Sequence, residues 1–361
     1  MFIPEKAEIR HLYEIKKAID AGMDTHRLTE LCNSIMPFLK DKLFVYTYAG
    51  SLLASKDKIE DAKVMFRKNP EDLFCSIMND YLEDTGNFQP AVKVFKNSDP
   101  YDTYVQVDFY KNYQTETVNV IGAFVKDNPP PNPGDGKVTI LNVGVGNGIL
   151  LTKIINEIAP LYELQSIRLI LVDQSEDMLQ KAIINCKKEI DIETEITTIC
   201  CKIQDITEEQ MNMIGKFKPI WFVNAALSVH HMPWEVKIPM LKQMKTLSPH
   251  FLLTEVNWNH DIPEKDTPEL IYSVAKNYAI FSKDILKLQV TEDKKKECLY
   301  NFPVAEAINI IRSDRSHRID YHTPVEEWKK LAGKAGYQID KTTTTTYVEG
   351  SPYTFVMEIS A

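Results

Sequence analysis

The sequence predicts an α/β protein: a doubly wound, mostly parallel seven-stranded sheet with an antiparallel C-terminal hairpin, preceded by an N-terminal helical domain. Three observations carry that prediction. From residue 138 onward, short apolar runs alternate with amphipathic segments of helical length. Near the end, the β-branched run KTTTTTYV (341–348) meets YTFVMEIS (353–360) across the turn-forming EGSP. Residues 4 to about 100 show helical periodicity and no convincing strand.

The helical part comes first. Leu28, Leu31, Ile35 and Leu39 recur three or four residues apart, which places them on one helix face. EDLFCSIMNDYLEDTGN (71–87) opens with acids, which suit a helix N-terminus, and closes on a glycine stop. VKDNPPPNPGDGK (125–137) reads as a linker, because its prolines lack a backbone donor and its glycines interrupt any period. A helical domain over 1–105 and a sheet domain over 106–361 follow.

In the second part, VTILNV (138–143) precedes a helix over about 148–160, with Leu151, Ile154, Ile155 and Ile158 on one face. IRLILV (167–172) precedes a helix over about 176–188. ITTICC (196–201), IWFVN (220–224) and FLLTEV (251–256) complete the apolar runs. Continuous apolar runs separated by helices describe parallel strands covered on both faces. After the helix PVEEWKKLAGKAGY (324–337), the two β-branched runs read as the hairpin.

Composition narrows the class. The chain has 361 residues, 44% of them hydrophobic and 26% charged, enough for a packed core. Its formal net charge is −9, from 51 acidic and 42 basic residues, and acids flank the lysines of EDKKKE (292–297). Nucleic-acid binding normally needs a positive footprint, so no nucleic-acid partner is expected. The six cysteines form no C-x-x-C or zinc spacing, and Cys200–Cys201 lie in an apolar run that reads as buried strand. Reduced core cysteines of a cytoplasmic protein are expected, with no metal. The charged start MFIPEKAEIR lacks the apolar core of a signal peptide, and no stretch approaches a membrane span.

LNVGVGNG (141–148) places Gly144, Gly146 and Gly148 at alternate positions directly after a predicted strand. A dinucleotide fingerprint needs G-x-G-x-x-G, but Ile149 holds its last position; a P-loop needs a terminal G-K-[ST], which is missing. The remaining G-x-G-x-G resembles the turn of S-adenosylmethionine-dependent methyltransferases, where bare backbone lies against the amino-acid part of the cofactor. A glycine-rich packing turn is the alternative. Asp173 ends the second predicted strand, 29 residues beyond Gly144, where an acid can accept bonds from ribose hydroxyls. Ser175 there is a good helix cap, so Asp173 also suits a purely local role. Asp205 and Ile206 follow the third strand, placed for an adenine amino group and ring.

The fourth strand runs into NAALSVHHM (224–232), and ALSVHHM resembles the A-L-S-[IV]-H-H-[LM] segment of many small-molecule methyltransferases. The resemblance implies a Rossmann-like sheet and S-adenosylmethionine as cofactor. It implies contacts from Gly144, Gly146, Asn147, Gly148, Asp173, Gln174, Met178, Asp205, Ile206, Asn224, Ala225 and Val229. Asn142 departs from the acid usual just before the first glycine.

Outside the sheet, the chain resembles the GRAS family in its bacterial, methyltransferase-like branch. The resemblance rests on DPYDTYVQVDFYKNYQTETVNVIGAF (99–124), SPHFLLTEVNWNHDIP (248–263), LIYSVAKNYAIFSKDI (270–285) and AEAINIIRSDRSHRIDYHTPVEEWKKLAGKAGY (305–337). Plant members are best known as transcriptional regulators; the bacterial branch is thought to act on small molecules.

About sixty residues separate the fifth strand from the last helix, far beyond an ordinary connection. This segment, about 258–320, is expected to form a helical cover with the N-terminal helices. Tyr110, Gln114, His231, Asn257, Asn259, His260 and Arg312 are candidate acceptor contacts, with His317 nearby in the chain. His230 is the candidate general base, because histidine is the residue type whose ordinary charge change falls near working pH. Glu255 could deprotonate a nucleophile or hold an amine. The expected activity is methyl transfer to an O, N or S atom of a small molecule, with no membrane partner. A ligand-binding regulator without turnover is the alternative, and a dimer is open. The acidic charge disfavours RNA methylation, and no P-P-[YFW] follows Asn224.

Overall fold

In a computed structural model, residues 4–89, 99–131 and 137–361 are described. Six helices come first: α1 (Lys6–Asp20), α2 (Thr25–Ile35), α3 (Phe44–Ser55), α4 (Ile59–Phe66), α5 (Leu73–Thr85) and α6 (Asp99–Tyr104). Then α7 (Asp108–Asp127) leads to β1 (Val138–Val143), α8 (Ile149–Ile158), β2 (Ser166–Asp173), α9 (Glu176–Glu189) and β3 (Glu193–Cys200). They are followed by α10 (Glu208–Gly215), β4 (Ile220–Ala226), α11 (Trp234–Lys245) and β5 (His250–Val256). The chain ends with α12 (Pro268–Leu286), α13 (Glu292–Asn301), α14 (Pro303–Arg312), α15 (Val325–Lys334), β6 (Gln338–Val348) and β7 (Ser351–Ser360).

The expected linker begins inside α7, and its residues 132–136 lie outside the described residues. The elements fall into two compact units, one of residues up to 109 with 258–320, the other of 110–257 with 321–361. Residues 258–320 therefore pack with the N-terminal helices as one unit, where sequence alone had attached them to the sheet domain as an insertion.

In the helical unit, the periodic residues Leu28 and Ile35 are buried, and α3 is buried along nearly its whole length. Gly86, with φ +74, caps α5 in the left-handed region that glycine reaches without cost.

The other unit is built on one seven-stranded sheet in the order β3-β2-β1-β4-β5-β7-β6. The pairs β1–β2, β1–β4, β2–β3 and β4–β5 are parallel, whereas β7 runs antiparallel to both β5 and β6. This is the doubly wound, Rossmann-like architecture with an antiparallel hairpin that the apolar runs predict. Two apolar clusters cover its faces. One gathers Leu141, Val223, Leu253, Leu241 and Trp328; the other gathers Ile140, Phe222, Leu252, Ile121 and Ile154. Along β1, β2 and β5 the residues alternate between them, as a pleated sheet requires.

One predicted strand is present but differs in burial. β3 is the edge of the sheet, and its residues are mostly exposed or half-buried. Cys200 is exposed and Cys201 half-buried, so neither is the buried core cysteine expected, whereas Cys32, Cys75, Cys186 and Cys298 are buried. An apolar run marks a strand, but only topology decides whether a second helix layer covers it. Among the described residues, no helix is long and apolar enough to cross a membrane.

Candidate functional site

The turn after β1 is shaped by its glycines. Gly144, Gly146 and Gly148 have φ of +67, +56 and +79, a region costly for side chains with a Cβ. A Cβ on Gly144 would lie 2.1 Å from that of Ser228, and one on Gly148 would lie 2.9 Å from the Ala182 Cα. The turn is thus pressed against the exit of β4 on one side and against α9 on the other.

Asp173 closes β2 and organises the same turn. Its Oδ2 accepts the Gly146 N–H at 2.9 Å, and its Oδ1 accepts the Ser175 N–H at 2.9 Å. Burial pushes its carboxyl above the ordinary range, while the two backbone donors pull the other way. Ser175 caps α9 by accepting the Met178 N–H at 3.3 Å, and the Gln174 carbonyl accepts from Cys200 Sγ at 3.8 Å. Asn147 Oδ1 accepts the Ile149 N–H, and its carbonyl accepts from Asn185. Asp205 ends a short 3-10 turn after β3, followed by the buried Ile206. Asn142 and Asn224 are register partners on β1 and β4, as are Val143 and Ala225.

The exit of β4 is held by one carboxylate. Leu227 takes φ +48 and donates its N–H to the Thr254 carbonyl; Ser228 Oγ donates to the Val143 carbonyl at 3.0 Å. Glu255, only 1% exposed, accepts on Oε1 the N–H groups of Ser228, Val229 and His230 at 3.2, 2.9 and 3.2 Å. Its Oε2 lies 2.8 Å from His230 Nδ1. Burial alone would raise the Glu255 carboxyl, yet His230 beside it, Lys237 and the backbone donors hold it below the ordinary range. With a carboxylate at Nδ1, the neutral imidazole keeps its proton there and presents Nε2 as the acceptor.

Segment 321–323 returns beside this loop. Tyr321 donates its N–H to the His230 carbonyl at 2.5 Å, and the His322 ring stacks on that of His230 at 4.4 Å and 17°. The His231 ring centroid is 4.2 Å from that of His230. Lys237, fully buried on α11, donates to the Tyr321 carbonyl at 2.7 Å and Thr323 Oγ1 at 2.6 Å. Its ammonium also lies 5.0 Å from the Trp328 ring, a cation–π contact. Lys237 and His322 are the residues sequence reasoning missed; only the fold brings positions so far apart together.

The candidate acceptor contacts separate. In the sheet unit, Gln114 is buried on α7 with its Oε1 accepting from Lys153 at 2.7 Å, one turn from Tyr110. Asn257 is committed to structure: it donates to the Pro352 carbonyl and accepts the Val325 N–H. In the helical unit, the His260 ring stacks on Tyr278 and its carbonyl accepts from Arg318. Arg312 is bonded to the Phe88 carbonyl and Asp57, which ties the end of α14 to the connections after α5 and α3 rather than leaving an open cation. Asn259 is half-buried and His317 exposed.

No family model matches the chain, and no curated protein matches it. Among solved structures, it is similar to SCL7 of Oryza sativa, at 13% identity and a TM-score of 0.61, covering 98% of this chain and 100% of that one. That likeness is one of fold. Magnesium protoporphyrin IX methyltransferase (ChlM) of Synechocystis with bound SAH aligns at 15% identity and a TM-score of 0.44, covering 79% of this chain and 98% of that one. The methyltransferase CalH in complex with SAH aligns at 15% identity and a TM-score of 0.43, covering 93% and 73%.

Proposed function

We propose that the protein is an S-adenosylmethionine-dependent methyltransferase acting on an O, N or S atom of a small molecule. One observation carries the reading: the glycine turn and Asp173 share an edge of the sheet with a carboxylate-held histidine at the next strand's exit. The residues fit the cofactor on two counts. The glycine turn offers backbone without side chains, and the buried Asn224 amide has no hydrogen-bond partner among the described residues. Gly144, Gly146, Asn147, Gly148, Asp173, Gln174, Met178, Asp205, Ile206, Asn224, Ala225 and Val229 would hold it. When bound, it would supply a sulfonium methyl group that passes to an acceptor lone pair as the neutral thioether leaves.

The chain's own residues then have two tasks. His230 Nε2 takes the proton of an acceptor O–H, N–H or S–H. Glu255, read from the sequence as able to deprotonate a nucleophile or hold an amine, acts in this proposal as a positioning residue, since its oxygens are already engaged by three N–H groups and His230. It fixes the ring's tautomer and stabilises the imidazolium as it forms. Tyr110 and His231 remain proposed acceptor contacts. Cytoplasmic placement and a small-molecule partner go with this reading.

The GRAS-like segments favour a second reading, a regulator that binds the same ligand without turnover. Release of S-adenosylhomocysteine against a metabolite extract separates the two. An enzyme releases it, with a loss of roughly 10²-fold in His230→Ala; a regulator releases none in either protein.

A further inference from the structure

Lys237 is fully buried, which lysine almost never is unless paired. It also stands in the first turn of α11, the positive end of the helix, where a carboxylate is favoured and an ammonium is not. Burial and helix position both oppose the charge. Stability alone does not account for it, since apolar replacements of buried ion pairs are often neutral or stabilising. What the ammonium holds therefore identifies its use.

Its bonds converge on one short segment. Nζ donates to the Tyr321 carbonyl at 2.7 Å and to Thr323 Oγ1 at 2.6 Å, and Thr323 Oγ1 itself donates to the Tyr321 carbonyl at 3.1 Å. His322 lies between these two anchors. The same segment grips His230 twice. Tyr321 donates its N–H to the His230 carbonyl at 2.5 Å, and the His322 ring is stacked on the His230 ring at 4.4 Å and 17°. On the ring's edge, Glu255 Oε2 lies 2.8 Å from Nδ1. One contact fixes an edge of the imidazole and the other a face, so Nε2 points in one direction.

Charge links the two supports. Burial pushes the Glu255 carboxyl up, and His230, Lys237 and the Val229 N–H together outweigh it. A neutral donor such as a glutamine amide could bond segment 321–323. Only a cation there also steadies the carboxylate that holds Nδ1. We infer that Lys237 is a positioning residue for His230, acting through segment 321–323 on the face of the imidazole and through Glu255 on its edge. Its effect on rate rests on the proposed methyl transfer; its effect on the ring does not.

The test uses the full chain labelled with heavy-nitrogen histidine. Lys237→Met keeps the stem beside Trp328 without the charge, and Thr323→Val keeps the charge but removes one acceptor. The ring Nδ1–H signal of His230, identified by its loss in His230→Ala, should be sharp in the wild type and broadened or lost in both variants. Release of S-adenosylhomocysteine from S-adenosylmethionine against a metabolite extract should fall about tenfold in each, with S-adenosylhomocysteine affinity within about twofold of the wild type. On a His230→Ala background neither change should lower the rate further, because a residue that acts through another adds nothing once that one is gone. Should Lys237→Met fail to fold, Thr323→Val carries all three readouts. An unaltered ring signal in the variants, an equal loss on the His230→Ala background, or cofactor affinity falling together with rate would overturn the inference. No release from the wild type would sink the methyltransferase reading instead, and the ring signal would then decide the role of Lys237 by itself.

Discussion

Gly144 and Ser228 are fitted to each other: a single carbon added to the glycine would lie 2.1 Å from the serine Cβ. Ser228 is also bonded through Oγ to the carbonyl of Val143, so the glycine turn and the histidine loop are one packed object. Gly144→Ala should therefore cost about 3 kcal/mol, from a positive φ and a direct overlap together. Urea unfolding measures this. Adding Ser228→Gly should recover part of the loss, and a double mutant no better than G144A would separate the turn from the loop.

Glu255 predicts a pH dependence. Its folded carboxyl is held below the ordinary range, so the stability it contributes is present above the unfolded value near 4.5. That stability is lost as pH falls through the lower folded value. Unfolding free energy should drop in that window for the wild type, and Glu255→Gln should flatten the drop. Parallel curves for the two proteins would remove Glu255 from the linkage.

Glu306 on α14 carries the opposite sign. Burial, and then the charge of Asp320, push its carboxyl well above the ordinary range, while Tyr278 Oη at 3.2 Å pulls it down. The folded state holds this proton more tightly, so the associated stability is full below about 4.5 and fades as pH rises toward the raised value. Glu306→Gln should remove that decline. Unfolding curves between pH 4 and 8 would show it.

Thiol labelling should rank the cysteines. Cys200 is exposed, whereas burial pushes the thiols of Cys32, Cys186 and Cys298 up to about 12. Maleimide should modify Cys200 first and leave those three unlabelled until unfolding, because the thiolate is the reactive form. Mass spectrometry of a short time course reads the order directly.

These results also show which information the sequence carries locally. The strands of the sheet, the G-x-G-x-G turn and Asp173 were legible because each is encoded within a few residues by period, glycine or position after an apolar run. His230 and Glu255 were legible as neighbouring strand exits. The way Glu255 collects three successive N–H groups was not, because that depends on how the backbone turns after Leu227. Lys237 and His322 were invisible for a different reason. A lysine in a helix reads as solvated until a returning segment 84 residues away supplies its acceptor. Arg312 looked available because its partners, the Phe88 carbonyl and Asp57, lie more than 220 residues earlier. The edge position of β3 belongs to the strand order, which no single run of residues records.

The account stands on the glycine turn and Asp173 holding S-adenosylmethionine. Titration calorimetry of the folded protein with S-adenosylhomocysteine tests it most directly. The account predicts binding in the micromolar range, roughly −7 to −9 kcal/mol. It predicts a loss of about 2 kcal/mol in Asp173→Ala, the scale of hydrogen bonds to a charged group. No heat from folded wild-type protein with either form of the cofactor would contradict it.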